Sequence, residues 1–229
     1  MTATINDKYD EVIRGIKNLG TLSRYWTSQT IKMILFIEGF ERHVYLDSLG
    51  YPTAGLGHKL NEVEKKKFGV GKLVDKDTLY DWAIQDLNNA MAKVLTKWPE
   101  LLETRNVAIR GIFAYMVFNV GFNGWLKFKK AIKAGLVLDM NYTDAITFLN
   151  ELANSKWATQ VPRALRIISH KLLLGSIDDH TFGQLETSGS KELPVEISEL
   201  IKSTKPLCRY LYPTEKKHKY IIVDVGIGE

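Results

Sequence analysis

The stretch from Ile37 to His58, IEGFERHVYLDSLGYPTAGLGH, places two carboxylates in contrasting local structure. Glu38 closes an apolar helical run, and Gly39 ends the run directly after it. A carboxylate at the negative end of a helix gains nothing from the dipole, so its neutral acid form is favoured. Residues 42–47 (RHVYLD) then alternate, with Val44 and Leu46 set against His43 and Tyr45. Ser48-Leu49-Gly50 makes a turn, and 51–56 returns as a second short strand that Pro52 places on an edge. Asp47 therefore sits on a hairpin and is expected to stay ionised. Hydrolysis of a glycosidic bond uses such a pair, one acid and one charged carboxylate. A Glu and an Asp at this spacing also occur as caps or surface charges, so spacing alone leaves both readings open.

Outward from this stretch the chain is mostly helical. Tyr9, Val12, Ile13, Ile16 and Leu19 recur at helical steps, and Thr27 or Ser28 can cap a second helix with Ile31, Ile34, Leu35 and Ile37 or Glu38 inward. Residues 61–72 are polar and lysine-rich, a surface loop or short helix. From Asp77 a helical pattern of Leu79, Trp82, Ile84, Leu87, Met91, Val94 and Leu95 runs to Trp98-Pro99; at about 1.5 Å per residue it is about 30 Å long, enough to join two lobes. Residues 105–121 are apolar on nearly every side, the pattern of a buried central helix. Further helical patterns cover 125–134, 143–152 with Ala145, Ile146, Leu149 and Leu152 inward, and 163–174, with Ser155-Lys156-Trp157 and a turn around Pro162 between the last two. Beyond residue 179 the composition turns to Ser, Thr and Gly, followed by a short helical pattern at 195–202 and β-like runs at 207–212 and 220–225.

Composition narrows the chemistry. The 229 residues are 45% hydrophobic and 25% charged, ordinary for a globular protein. One cysteine, Cys208, rules out an intrachain disulfide. Five scattered histidines give no zinc-ligand spacing, no phosphate-binding loop is present, and neither a metal nor a cofactor is expected. The longest wholly apolar run near the front is Met33–Ile37, too short for a membrane span or a signal core. Residues 181–229 carry seven basic and seven acidic side chains, so the whole excess of +5 lies in residues 1–180. A basic body suits an anionic polymer, either nucleic acid or a phosphate-bearing bacterial wall, or is simply a solubility device. Lys65–Lys67 is read as a solvated loop.

Glu38-Gly39, Tyr45, Asp47, Gly50, Thr53, Gly55, Gly57 and His58 together resemble the active-site pattern of the tailed-bacteriophage lysozymes, in their T-even-like branch. The resemblance continues through residues 82–86 (WAIQD), 116–121 (MVFNVG), 155–157 (SKW) and 160–163 (QVPR), and so covers about 31–179. It implies an α+β, mainly α fold of two lobes: a small β-hairpin lobe, a long connecting helix and a helical C-terminal lobe. The expected division is an N-terminal helical extension over 1–26, a lysozyme-like catalytic domain over 27–180 and a C-terminal extension over 181–229. By the same resemblance Glu38 is the general acid, Asp47 the second carboxylate, and Thr53 helps hold the attacking water. His58 pairs with Asp86 as a structural ion pair, and Arg163 contacts the glutamate from the C-terminal lobe. The segment before Arg163 is one residue shorter than usual, which brings Arg166 into consideration for that place. Asn119 stands where T-even-like members carry glutamine. Trp157 and Phe118 are read as core.

The function implied is a muramidase that hydrolyses the β-1,4 bond between N-acetylmuramic acid and N-acetylglucosamine in peptidoglycan, with inversion, and lyses bacteria. A lytic transglycosylase and a non-catalytic wall-binding or virion protein are the alternatives. Peptidoglycan is the expected partner, nucleic acid and stable membrane insertion are not, and the chain is expected to be a monomer. Synthesis is expected in the host cytoplasm, with access to the wall through a membrane-permeabilising partner or release by lysis, or with virion attachment through the termini.

Overall fold

The computed structural model describes residues 5–20, 22–104 and 107–174. The order is α1 (Ile5–Leu19), α2 (Ser28–Glu38), β1 (Glu41–Leu46), β2 (Pro52–Gly55), β3 (His58–Lys59), α3 (Glu62–Lys67) and α4 (Lys76–Lys97). A 3-10 turn at Pro99–Leu102 leads into α5 (Val107–Val120), α6 (Phe122–Trp125), α7 (Lys129–Gly135), α8 (Tyr142–Ala153), α9 (Lys156–Gln160) and α10 (Pro162–Leu174). The fold is mostly helical with one small antiparallel sheet, the expected α+β class. The C-terminal extension 181–229, with its helical and β-like runs, lies outside the described residues.

The chain divides into two compact units. Among the described residues, the first takes in 5–97 and also Gly111–Phe122; the second takes in Trp98–Arg110 and 123–174.

In the first unit, Thr27 caps α2 by accepting the Thr30 backbone N–H (3.1 Å), and Gly39 ends it at φ 76°, a left-handed turn natural to glycine. Ile31, Ile34 and Leu35 are fully buried, as the periodicity predicts, so the helix is pinned by its core face and delivers Glu38 at its last turn. α1 packs on α2 and α4 through Tyr9, Val12, Ile13 and Ile16, all buried. Gly15 makes the close approach possible: a Cβ there would sit 2.2 Å from the Tyr80 ring of α4. The N-terminal helix is thus built into this unit.

The sheet has order β1-β2-β3, which corrects the placement of Pro52 on an edge strand. β2 is central, and Pro52 is tolerated because it is the first residue of the strand, with its carbonyl accepting from the Leu60 N–H. The alternation in β1 also departs from expectation: Val44 is buried but Leu46 is 55% exposed. Glu41 pairs with Gly55 and Tyr45 with Thr53, so β1 carries extra residues between these pairs. That irregularity turns its middle toward residues 71–74, where Val44 and Arg42 find backbone partners in Gly71, Lys72 and Val74. Asn61 and Glu64 close a capping box on α3, resolving residues 61–72 into a short helix and a loop.

In the second unit α7 and α10 pack against α8. Ala145, Ile146, Leu149 and Leu152 of α8 face inward as expected. Ser155 caps α9, which ends just before Pro162, and Trp157 is buried as predicted. In α5, residues Ile112 to Met116 are essentially inaccessible to solvent, whereas Phe118, expected in the core, is half-buried.

Candidate active site

All described members of the expected site lie in the first unit. Glu38, at the C-terminal end of α2, is half-buried and meets two donors from α5. Tyr115 Oη and Asn119 Nδ2 each donate to Glu38 Oε1 at 2.9 Å. Their spacing of four residues puts both on one helical face, and both bonds fall on one oxygen. Burial pushes the Glu38 carboxyl above the ordinary glutamate range, and outweighs the two donors, which favour the charged form. Tyr115 is itself fully buried, and burial together with the neighbouring glutamate drives its phenol well above the usual range, so it remains a proton donor. With Oε1 doubly occupied, an acid proton is left to Oε2.

Asp47 has the opposite environment. Its Oδ1 accepts the backbone N–H groups of Tyr51 (2.8 Å) and Leu49 (2.9 Å), and its Oδ2 lies 3.0 Å from Lys59 Nζ. The Tyr51 N–H, the Lys59 ammonium and the Leu49 N–H hold this carboxyl below the ordinary aspartate range. Tyr45, opposite Thr53 in the sheet, is raised by burial and then by the negative charges of Glu38 and Asp47, so its phenol lies in the field of both carboxylates. Thr53 is buried, and its hydroxyl donates to the Tyr51 carbonyl at 2.9 Å. The donor is committed there, which leaves the hydroxyl oxygen to accept.

His58, on β3, bonds through Nδ1 to Asp86 Oδ2 (2.8 Å) and through Nε2 to Glu64 Oε2 (3.1 Å), and stacks on Trp82 with ring centroids 4.6 Å apart. The Asp86 pairing was expected; Glu64 was not. Carboxylates on both ring nitrogens call for the doubly protonated ring. Burial opposes the charged form, but the bonds and charges of Asp86 and Glu64 win, and the His58 pKa is raised. The side chains of Arg163 and Arg166 lie outside the described residues.

Sequence reasoning missed Tyr115, Lys59 and Glu64. The i, i+4 pair of Tyr115 and Asn119 was visible as a spacing, but an apolar helix gives no sign that a tyrosine at its centre aims its hydroxyl at a distant glutamate. Among the described residues no group of His, Cys, Asp and Glu side chains could hold a metal ion.

The phage lysozyme family profile matches residues 36–165, a span that includes Glu38, Asp47, Thr53, His58, Asp86, Tyr115 and Asn119. Two relatives come from Dictyostelium discoideum. "Probable T4-type lysozyme 1" is 26% identical over 164 residues, covering 60% of this chain and 89% of that protein. "Probable T4-type lysozyme 2" is 29% identical over 164 residues, with the same shares of each chain.

Proposed function

Since the chain belongs to the phage lysozyme family, we propose that it is a muramidase that cleaves the β-1,4 bond between N-acetylmuramic acid and N-acetylglucosamine in peptidoglycan. The observation that carries the reading is the divergence of the two carboxylates: Glu38 is pushed up by burial, and Asp47 is held down by backbone donors and a lysine.

Glu38 holds its proton to higher pH than an ordinary glutamate does and delivers it from Oε2 to the leaving glycosidic oxygen. Tyr115 and Asn119 fix the carboxyl by its other oxygen and stabilise the carboxylate left behind. Asp47, ionised, faces the positive charge that develops at the sugar carbon. Thr53 accepts a hydrogen bond from the attacking water, since its own hydroxyl hydrogen is engaged with Tyr51, and Asp47 takes up the proton that the water loses as its oxygen bonds to the sugar carbon. A water so held favours a single displacement with inversion. His58, Asp86 and Glu64 brace the sheet that carries Asp47 and Thr53.

The test is digestion of purified peptidoglycan followed by mass analysis of the products. Hydrolysis gives reducing muramic acid ends, whereas 1,6-anhydro ends would make the protein a transglycosylase. Release of no fragments, with sedimentation of the protein on intact walls, would leave it a binding protein.

A further inference from the structure

The sheet places Lys59 across from Asp47. Thr53 of β2 is paired with Tyr45 of β1 on one side and with Lys59 of β3 on the other. Directly paired residues project to the same face, so Tyr45, Thr53 and Lys59 form one row. The two outer strands of such a row are about 10 Å apart, a gap that a lysine can bridge to a neighbouring side chain and that a short side chain cannot. Lys59 does so, reaching Asp47 Oδ2 at 3.0 Å with its ammonium 4.6 Å from the centroid of the Tyr51 ring. Tyr51 is the same residue whose N–H holds Asp47 Oδ1 and whose carbonyl holds Thr53. Both oxygens of Asp47 are therefore fixed, one by the turn and one by Lys59.

We infer that Lys59 is a positioning residue for Asp47: it fixes the orientation of the carboxylate by holding Oδ2 while the Tyr51 and Leu49 N–H groups hold Oδ1. The inference rests on the proposed role of Asp47. Its lysine side chain is 55% exposed, so the ion pair adds little to folding, and a merely structural role leaves almost no trace. Its effect belongs to the acid limb of the pH–rate profile, where Asp47 takes up its proton. Asp47 is faced by Lys59 from β3 and by Tyr45 from β1, and Glu38 acts on the same tyrosine from α2.

The experiment compares parent, Lys59→Met, Lys59→Arg and Asp47→Asn on purified peptidoglycan across pH, with thermal melting alongside. Lys59→Met is expected to melt as the parent does and to lose about two- to fivefold in kcat at the optimum, in keeping with a solvent-screened pair. Its acid limb moves to higher pH, its alkaline limb stays in place, KM changes little, and Lys59→Arg restores most of the rate. An unmoved acid limb, or a rise in KM with kcat intact, overturns the assignment and makes Lys59 a substrate contact or a bystander. Should Asp47→Asn keep the parent's rate, the reading of Asp47 fails and the inference falls with it. Loss of activity in Asp47→Asn with an unmoved limb in Lys59→Met overturns the Lys59 assignment alone.

Discussion

Glu38 and Asp47 are the same kind of group in two different settings. Glu38 ends a helix whose inner face is fully buried and receives two side-chain donors from a second helix. Asp47 sits just past a strand end, where the turn offers two backbone donors and the sheet supplies a lysine. Both accept good hydrogen bonds, yet their acidities move apart. At Glu38 desolvation is the largest effect and hydrogen bonds only moderate it; at Asp47 the Tyr51 N–H is the largest and desolvation comes second. Counting donors would not separate the two carboxylates. What separates them is whether water still solvates the charge.

Removing each carboxyl tests the contrast most severely. Glu38→Gln is expected to lower the rate on peptidoglycan by about a thousandfold, as for loss of a general acid, and Asp47→Asn by roughly a hundredfold, as for loss of one electrostatic contact. Equal rates for the two variants, measured as initial turbidity loss, would erase the distinction.

The sheet side is next. His58 has a folded-state pKa raised by Asp86 and Glu64, so its contribution is fully present below the unfolded value near 6.5 and is lost as pH climbs through the folded value. His58→Asn should cost about 2–3 kcal/mol at pH 5–6, since it leaves two partly buried carboxylates without a cation. Denaturant midpoints should converge with the parent's at higher pH. A constant difference at every pH would show that the ring acts only through its stacking on Trp82.

On the helix side, Tyr115→Phe keeps the ring and removes the donor. The rate should fall about tenfold, the value of one hydrogen bond to a charged group. Without that donor the Glu38 carboxylate is less favoured, so the alkaline limb shifts to higher pH. The smallest effect is expected from Thr27→Ala, which removes the cap at the far end of α2 and should cost about 1 kcal/mol of stability. The pH profile should not move.

The sequence made the helices legible because their apolar spacing is local: α4 and α8 bury the faces that periodicity predicts, whereas α2 is buried on every side from Thr30 to Phe36 and leaves Ile37 and Glu38 half-buried. It was less clear in the sheet. The extra residues in β1 depend on pairing with residues 71–74, and the central place of Pro52 depends on a third strand of only two residues, too short to leave a pattern. Of the candidate site, Glu38, Asp47 and Thr53 could be named because a run of fixed offsets resembles a known family, and the same resemblance paired His58 with Asp86, as the structure has them. Tyr115, Lys59 and Glu64 were hidden for one reason. Each acts on a partner carried by a different element, 77 residues away for Tyr115, and a tyrosine in an apolar helix or a lysine in a strand looks the same whether or not it has that partner.

The central claim is that two carboxylates are driven apart by their surroundings, and carboxyl carbon chemical shifts followed through a pH titration of the intact protein measure it directly. Glu38 is expected to titrate above an ordinary glutamate and Asp47 below an ordinary aspartate. Glu38 titrating at or below its ordinary value, or Asp47 titrating above Glu38, would contradict it.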